Sequence, residues 1–179
     1  IKPFWSPFVD IIKSKRWWVT TMQLLIGAAL GGVAFTIPTT WWLQGSLCFF
    51  WLMAFSSATH DIAADGFYML GLNNHQQAWF VGIRSTFYRA ANIFGQGVLV
   101  MIAGNLQVYF RGSIKYSWSL MFYGVTGLFI ALWLWHSMVL PHPKEDRGIE
   151  RPQTNEIIPK FIHSIQTFFS KFSARETLI

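Results

Sequence analysis

Residues 41–70 read WWLQGSLCFFWLMAFSSATHDIAADGFYML. The run is apolar from Trp41 through Ala58, close to the roughly 20 residues a helix needs to cross about 30 Å of hydrocarbon. Its helical pattern does not stop there but continues past His60, Asp61 and Asp65 to Leu70. The stretch therefore reads as a membrane-crossing helix that is longer and more polar than a plain anchor.

Three further segments have the same character. Residues 17–37 form a span interrupted mainly by Gln23, with small residues from Gly27 to Gly31 offering a face for close helix contact, and Pro38 ends it. Residues 78–104 carry Arg84, Arg89 and Asn92 before a purely apolar half. Residues 117–140 hold Gly124 and Gly127, expected to serve packing, and stop at Pro141 and Pro143. The composition agrees: 53% of residues are hydrophobic, 18% aromatic and only 12% charged, where a soluble domain carries charge on about a quarter of its residues. The fold class expected is all-α integral membrane, and the solvent for most of the chain is lipid.

The net charge of +6 is topological rather than a nucleic-acid footprint, because the Lys and Arg residues mainly flank the apolar runs. Lys13, Lys15 and Arg16 precede the first span and Lys144, Arg147 and Arg151 follow the fourth, whereas the turn at 38–40 has none. The positive-inside tendency then places both ends on the cytoplasmic side of the inner membrane, with Arg111 and Lys115 as the exceptions. Beyond the fourth span, residues 155–174 set Ile157, Phe161, Ile165, Phe168 and Phe172 opposite Lys160 and Lys171, an amphipathic helix expected to lie on the membrane surface. The chain opens on Ile1 without a signal pattern and reads as a piece of a longer protein.

A charge near the bilayer centre costs about 2.5–3.5 kcal/mol even on the lenient insertion scale, so Asp61, Asp65, Arg84 and Arg89 need partners. Asp61 and Asp65 are four residues apart and share a helix face. Counted from the turn near Asn74, Asp61 matches Arg89 in depth and Asp65 matches Arg84, which predicts a two-rung ladder. The rungs either staple two helices or face a water-filled path where Asp61 or Arg89 binds an anion or trades a proton. His60 adds a group that titrates near neutrality. His60, His75, His136, His142 and His163 have no metal-ligand spacing, and Cys48 lies alone in an apolar run. No phosphate loop or nucleophile and base pair stands out, so neither an enzyme nor a cofactor is expected.

Three stretches carry a resemblance. WSPFVD (Trp5 to Asp10) with the basic residues after it, SSATHDIAADGF (Ser56 to Phe67) and FYRAANIFGQG (Phe87 to Gly97) resemble, in order and spacing, the loop after the second helix, the fourth helix and the fifth helix of AmpG-type muropeptide permeases of the major facilitator superfamily. The resemblance covers most of residues 1–141. It implies a twelve-helix transporter of two six-helix halves. This chain would supply helices three to six, residues 1–16 being the end of helix two and a cytoplasmic loop, and 141–179 the central loop. The remaining helices would come from the rest of the protein.

The implied activity is proton-driven import of murein-derived glycopeptides; related branches move acetyl-CoA. Asp10, Lys13 and Arg16 would belong to a cytoplasmic gate loop, and His60, Asp61, Asp65, Arg84 and Arg89 to transport or coupling. The family's charged residues shortly after the second Asp of the fourth-helix motif are replaced here by Tyr68, Met69 and Leu70. A non-transporting membrane scaffold or sensor is the reading from another class.

Overall fold

The computed structural model describes residues 5, 6, 8, 9, 12–142, 146, 159, 161–163, 166, 167 and 170 of the 179. These residues form an all-helical, multi-pass membrane protein. Four helices are long and apolar enough to cross a membrane: α1 (Lys15–Thr36), α2 (Trp42–Gly71), α3 (Asn74–Tyr109) and α4 (Ile114–Val139). Asp10, Lys144, Arg147 and Arg151 fall outside the described residues, as does most of the amphipathic tail, of which Pro159, Phe161–His163, Gln166, Thr167 and Ser170 are helical.

The helices end where local chemistry stops them. Ser14 accepts from the Trp17 N–H (3.3 Å) at the start of α1. After Thr36, the backbone and hydroxyl of Thr39 both donate to the Thr36 carbonyl at 3.0 and 2.7 Å, turning the chain through Pro38 into α2. The α2–α3 turn closes on a reciprocal capping box between Asn73 and Gln76. Gln77 extends it, its amide donating to the last α2 carbonyls at Met69 and Leu72. The turn into α4 uses two successive left-handed residues, Arg111 (φ 52°) and Gly112 (φ 86°).

α1 is the axle. Half of its apolar window is buried, against 6% for α3, and α2 and α4 pack on opposite sides of it. Small residues allow the approach. A Cβ on Gly27 would lie 3.3 Å from the Phe129 side chain and one on Gly31 3.3 Å from Thr126, so both glycines face α4, while a Cβ on Gly32 would overlap the Phe49 ring of α2. Gly124 and Gly127 behave differently from expectation: a Cβ on either meets nothing within 4 Å. They sit on a face of α4 that the described helices leave open, because α4 meets α1 through the side chains of Thr126, Phe129 and Ile130 instead.

Polar groups lock the axle in register. The buried Gln23 pairs its side-chain oxygen with His136 Nδ1 of α4 at 2.8 Å. Ser119 of α4 donates to the Ala34 carbonyl at 2.6 Å, and Thr36 and Ser46 share a hydrogen bond of 3.1 Å between α1 and α2. Such interhelical bonds average about 0.6 kcal/mol each in lipid, so they set register more than strength.

α3 stands apart. Its first half buries no residue, and only its second half packs, against α4 through Ala103. Between the halves lies a π-helical turn, Phe94–Val98, containing Gly95, Gln96 and Gly97. The extra residue of a π-turn shifts the helical face that follows it.

Overpacking a close contact costs about 1–3 kcal/mol. Gly31→Leu is therefore expected to lower the melting temperature of the detergent-solubilised protein by several degrees, while Gly124→Leu leaves it unchanged; equal losses from the two substitutions would contradict the packing described.

Candidate functional site

The α2–α3 hairpin holds three of the charges. Above the capped turn, Tyr68 of α2 stacks obliquely on Phe80 of α3 with ring centroids 5.0 Å apart. One turn further along α3, the Arg84 guanidinium forks, Nη1 donating to Asp65 and Nη2 to Asp61. Residues four apart on a helix have Cβ atoms about 5–6 Å from each other, and the planar, multi-donor guanidinium fork suits two acceptors so placed.

This differs from the two-rung ladder expected from the sequence. Asp61 and Asp65 both pair with Arg84, and Arg89 makes no ion pair among the described residues. The physical reason is that α3 does not pack along α2 beyond the turn. Matching depth by counting residues assumes two helices in contact; here a long arginine spans the gap instead. The cluster is also open, the side chains of Arg84, Asp61 and Asp65 being 42%, 40% and 32% exposed. His60 is half-buried and outside the fork.

Arg89 lies about 4 Å from the mid-length of α3 at about 1.5 Å per residue, making it the charge nearest the centre of its helix. It is exposed, like nearly all of this half of α3, and shares a helical face with Ser85 and Asn92, four and three residues away, with Gln96 following in the π-helical turn. This polar stripe was missed in the sequence, where Arg89 and Asn92 were noticed singly. The helical spacing from Ser85 to Gln96 was the available signal. Asn92 turns its amide back to the Tyr88 carbonyl at 3.0 Å, so one of its protons is satisfied within the helix.

The gate-loop candidate Arg16 sits at the start of α1, beside the end of α4. Arg16 Nη2 donates to the Ser137 carbonyl at 2.6 Å and Nε to the Leu140 carbonyl at 3.2 Å, capping the C-terminus of α4. Asp146, beyond α4, accepts the N–H groups of Lys15 and Arg16 at 2.6 and 2.9 Å and so caps the N-terminus of α1. A cation at a helix C-terminus and an anion at an N-terminus both suit the helix dipole. Lys13 is exposed.

Trp5 and Thr59 also meet: the indole N–H donates to the hydroxyl at 3.1 Å while the ring lies edge-on to Phe55. Val9 is buried with Val19 and Ala63. Two stretches singled out in the sequence, around Trp5 and around Thr59, thus form one contact.

Among the described residues no three His, Cys, Asp or Glu side chains converge as a metal site. No protein-family model, curated protein or solved structure matches the chain.

Because Arg84 pairs with both carboxylates, Arg84→Gln should destabilise the protein by about 1 kcal/mol, roughly 2–4 °C in melting temperature. The triple variant with Asp61→Asn and Asp65→Asn should recover most of that loss, since the charges that Arg84 pairs with are then removed along with it. Arg16→Ala removes two carbonyl caps and should cost about 1–2 kcal/mol in the same assay, against little for the exposed Lys13→Ala.

Proposed function

We propose that this protein is a membrane transporter of a small amphiphilic or anionic solute, with α2 and α3 lining its path. The observation that carries the reading is the exposed polar stripe of α3 with Arg89 near its middle, beside the open Arg84 fork. Lipid does not solvate a guanidinium, and intramembrane charges face a bundle interior or a water-filled cavity. An anchor or a packing helix has no need of such a face.

In this reading Arg89 contacts an anionic group of the solute. Asp61 exchanges a proton and Arg84 holds whichever carboxylate is charged, passing between Asp61 and Asp65 as the proton comes and goes. The resemblance of Trp5–Asp10, Ser56–Phe67 and Phe87–Gly97 to muropeptide permeases of the major facilitator superfamily supplies the substrate class, murein-derived glycopeptides imported with protons. Acetyl-CoA or another small solute is the alternative within that superfamily. The remaining helices of a longer protein would close the cavity across from α3, and rocking of one half against the other would give alternating access. The proposed location is the cytoplasmic membrane, with both ends of the chain on the cytoplasmic side, following the basic residues before α1 and after α4.

The competing reading, a membrane scaffold stapled by its charges, draws on the same Arg84 fork, and a charge exchange separates the two. In the full-length protein, Arg89→Ala is expected to cut uptake of labelled anhydro-muropeptide at least tenfold, and Asp61→Asn to flatten its pH dependence, with membrane insertion unchanged. Exchanging Asp61 and Arg84 should restore thermal stability but not proton-coupled uptake. If both single variants transport with the normal pH profile, the transport assignment of these residues is wrong.

A further inference from the structure

At the end of the bundle away from the Asp61–Arg84 cluster, a cavity of about 410 Å³ opens between three helices. Phe35 at the end of α1, Pro38 and Thr39 in the following turn, Phe110 after α3, and Tyr116, Leu120 and Tyr123 of α4 line it. Its volume falls in the range of small-molecule sites, about 300–1,000 Å³. The cavity lies at the level where α1 and α3 end and α2 and α4 begin, and Trp41, Trp42, Tyr109 and Trp118 occur within a few residues of its lining along the chain. Aromatic residues at helix ends mark the boundary between hydrocarbon and headgroups.

Two cations are chain neighbours of its lining residues. Arg111 follows the lining residue Phe110, Lys115 precedes the lining residue Tyr116, and both are exposed. No Asp or Glu occurs between Asp10 and Asp61 or between Asp65 and Glu145. Neither α1, the turn after it, the described part of α3 nor α4 therefore supplies a carboxylate to this end of the bundle. Arg111 also holds a left-handed backbone, φ 52°, a conformation that costs a non-glycine residue about 1–2 kcal/mol. Glycine or asparagine would fit that position at less cost.

We propose that this cavity is a binding site for an anionic phospholipid, its phosphate held between Arg111 and Lys115 and the upper part of an acyl chain lying among Phe35, Phe110 and Tyr123. Basic side chains at the headgroup level attract anionic lipid headgroups. The aromatic lining and the headgroup-level position favour a lipid over a water-soluble anion. The proposal is independent of the transport reading, because it uses none of the residues of α2 or of the polar half of α3.

The test is native mass spectrometry of the full-length protein in detergent, titrated with phosphatidylglycerol or phosphatidylcholine. Phosphatidylglycerol should bind more tightly, and Arg111→Gly and Lys115→Gln should each weaken it about fivefold while leaving phosphatidylcholine unchanged. Arg111→Gly relieves the left-handed strain, so loss of folding does not account for its effect. Leu120→Trp, which fills the cavity and keeps both cations, should weaken both lipids. Equal affinity for the two lipids, a headgroup preference that survives in the double variant Arg111→Gly/Lys115→Gln, or unchanged binding in Leu120→Trp would overturn the proposal. So would displacement of phosphatidylglycerol by millimolar inorganic phosphate, which would assign the site to a soluble anion.

Discussion

Everything in this bundle depends on how closely α1 lets its neighbours approach. Lipid tails are as apolar as the side chains they would replace, so membrane helices gain little from hydrophobic burial against each other and rely on tight packing and interhelical hydrogen bonds. Gly27, Gly31 and Gly32 remove the side chains that would keep α4 and α2 away. Once the backbones are near, Gln23 reaches His136, Ala34 reaches Ser119 and Thr36 reaches Ser46. The caps supplied by Arg16 and Asp146 act at the ends of the same α1–α4 pair and tie the segment beyond α4 back to the axle.

α3 is organised by the opposite principle. Its first half is tethered at the capped turn, by the Tyr68–Phe80 contact and by one arginine. Its second half is tethered by apolar packing on α4, with a π-helical turn between the two. A helix held at its ends and open in the middle presents Arg89, Asn92 and Gln96 to whatever fills the space beside it. The bilayer constrains what that is: groups needing hydrogen bonds are covered by water, solute or other protein, not by hydrocarbon.

Charge divides the molecule into two ends of different chemistry. The acidic residues of α2 draw Arg84 into an internal pair, whereas Arg111 and Lys115 stand at an end where the helices carry no acidic residue at all. One set of cations is balanced from within the chain, while at the other end the helices offer Arg111 and Lys115 no carboxylate.

The sequence by itself determined that the chain is helical, that it lives in a membrane, that there are four candidate spans, and that charges occur within two of them. Those properties follow from local composition and length, because a span is a continuous run and its solvent is set by the residues in that run. It also indicated the small-residue face of α1 and the carboxylate pair of Asp61 and Asp65, since four-residue spacing is a property of one helix. Which partner each charge takes was decided only by the tertiary structure: Arg84 serves both carboxylates because α3 leaves α2 above the turn, and inter-helix distance is not written in either helix alone. The same holds for Gly124 and Gly127, which looked like packing positions and are open, and for Gln23, whose partner His136 lies 113 residues away. Contacts between helices depend on rotation and separation, and those are set by the whole packed assembly rather than by any one stretch of sequence.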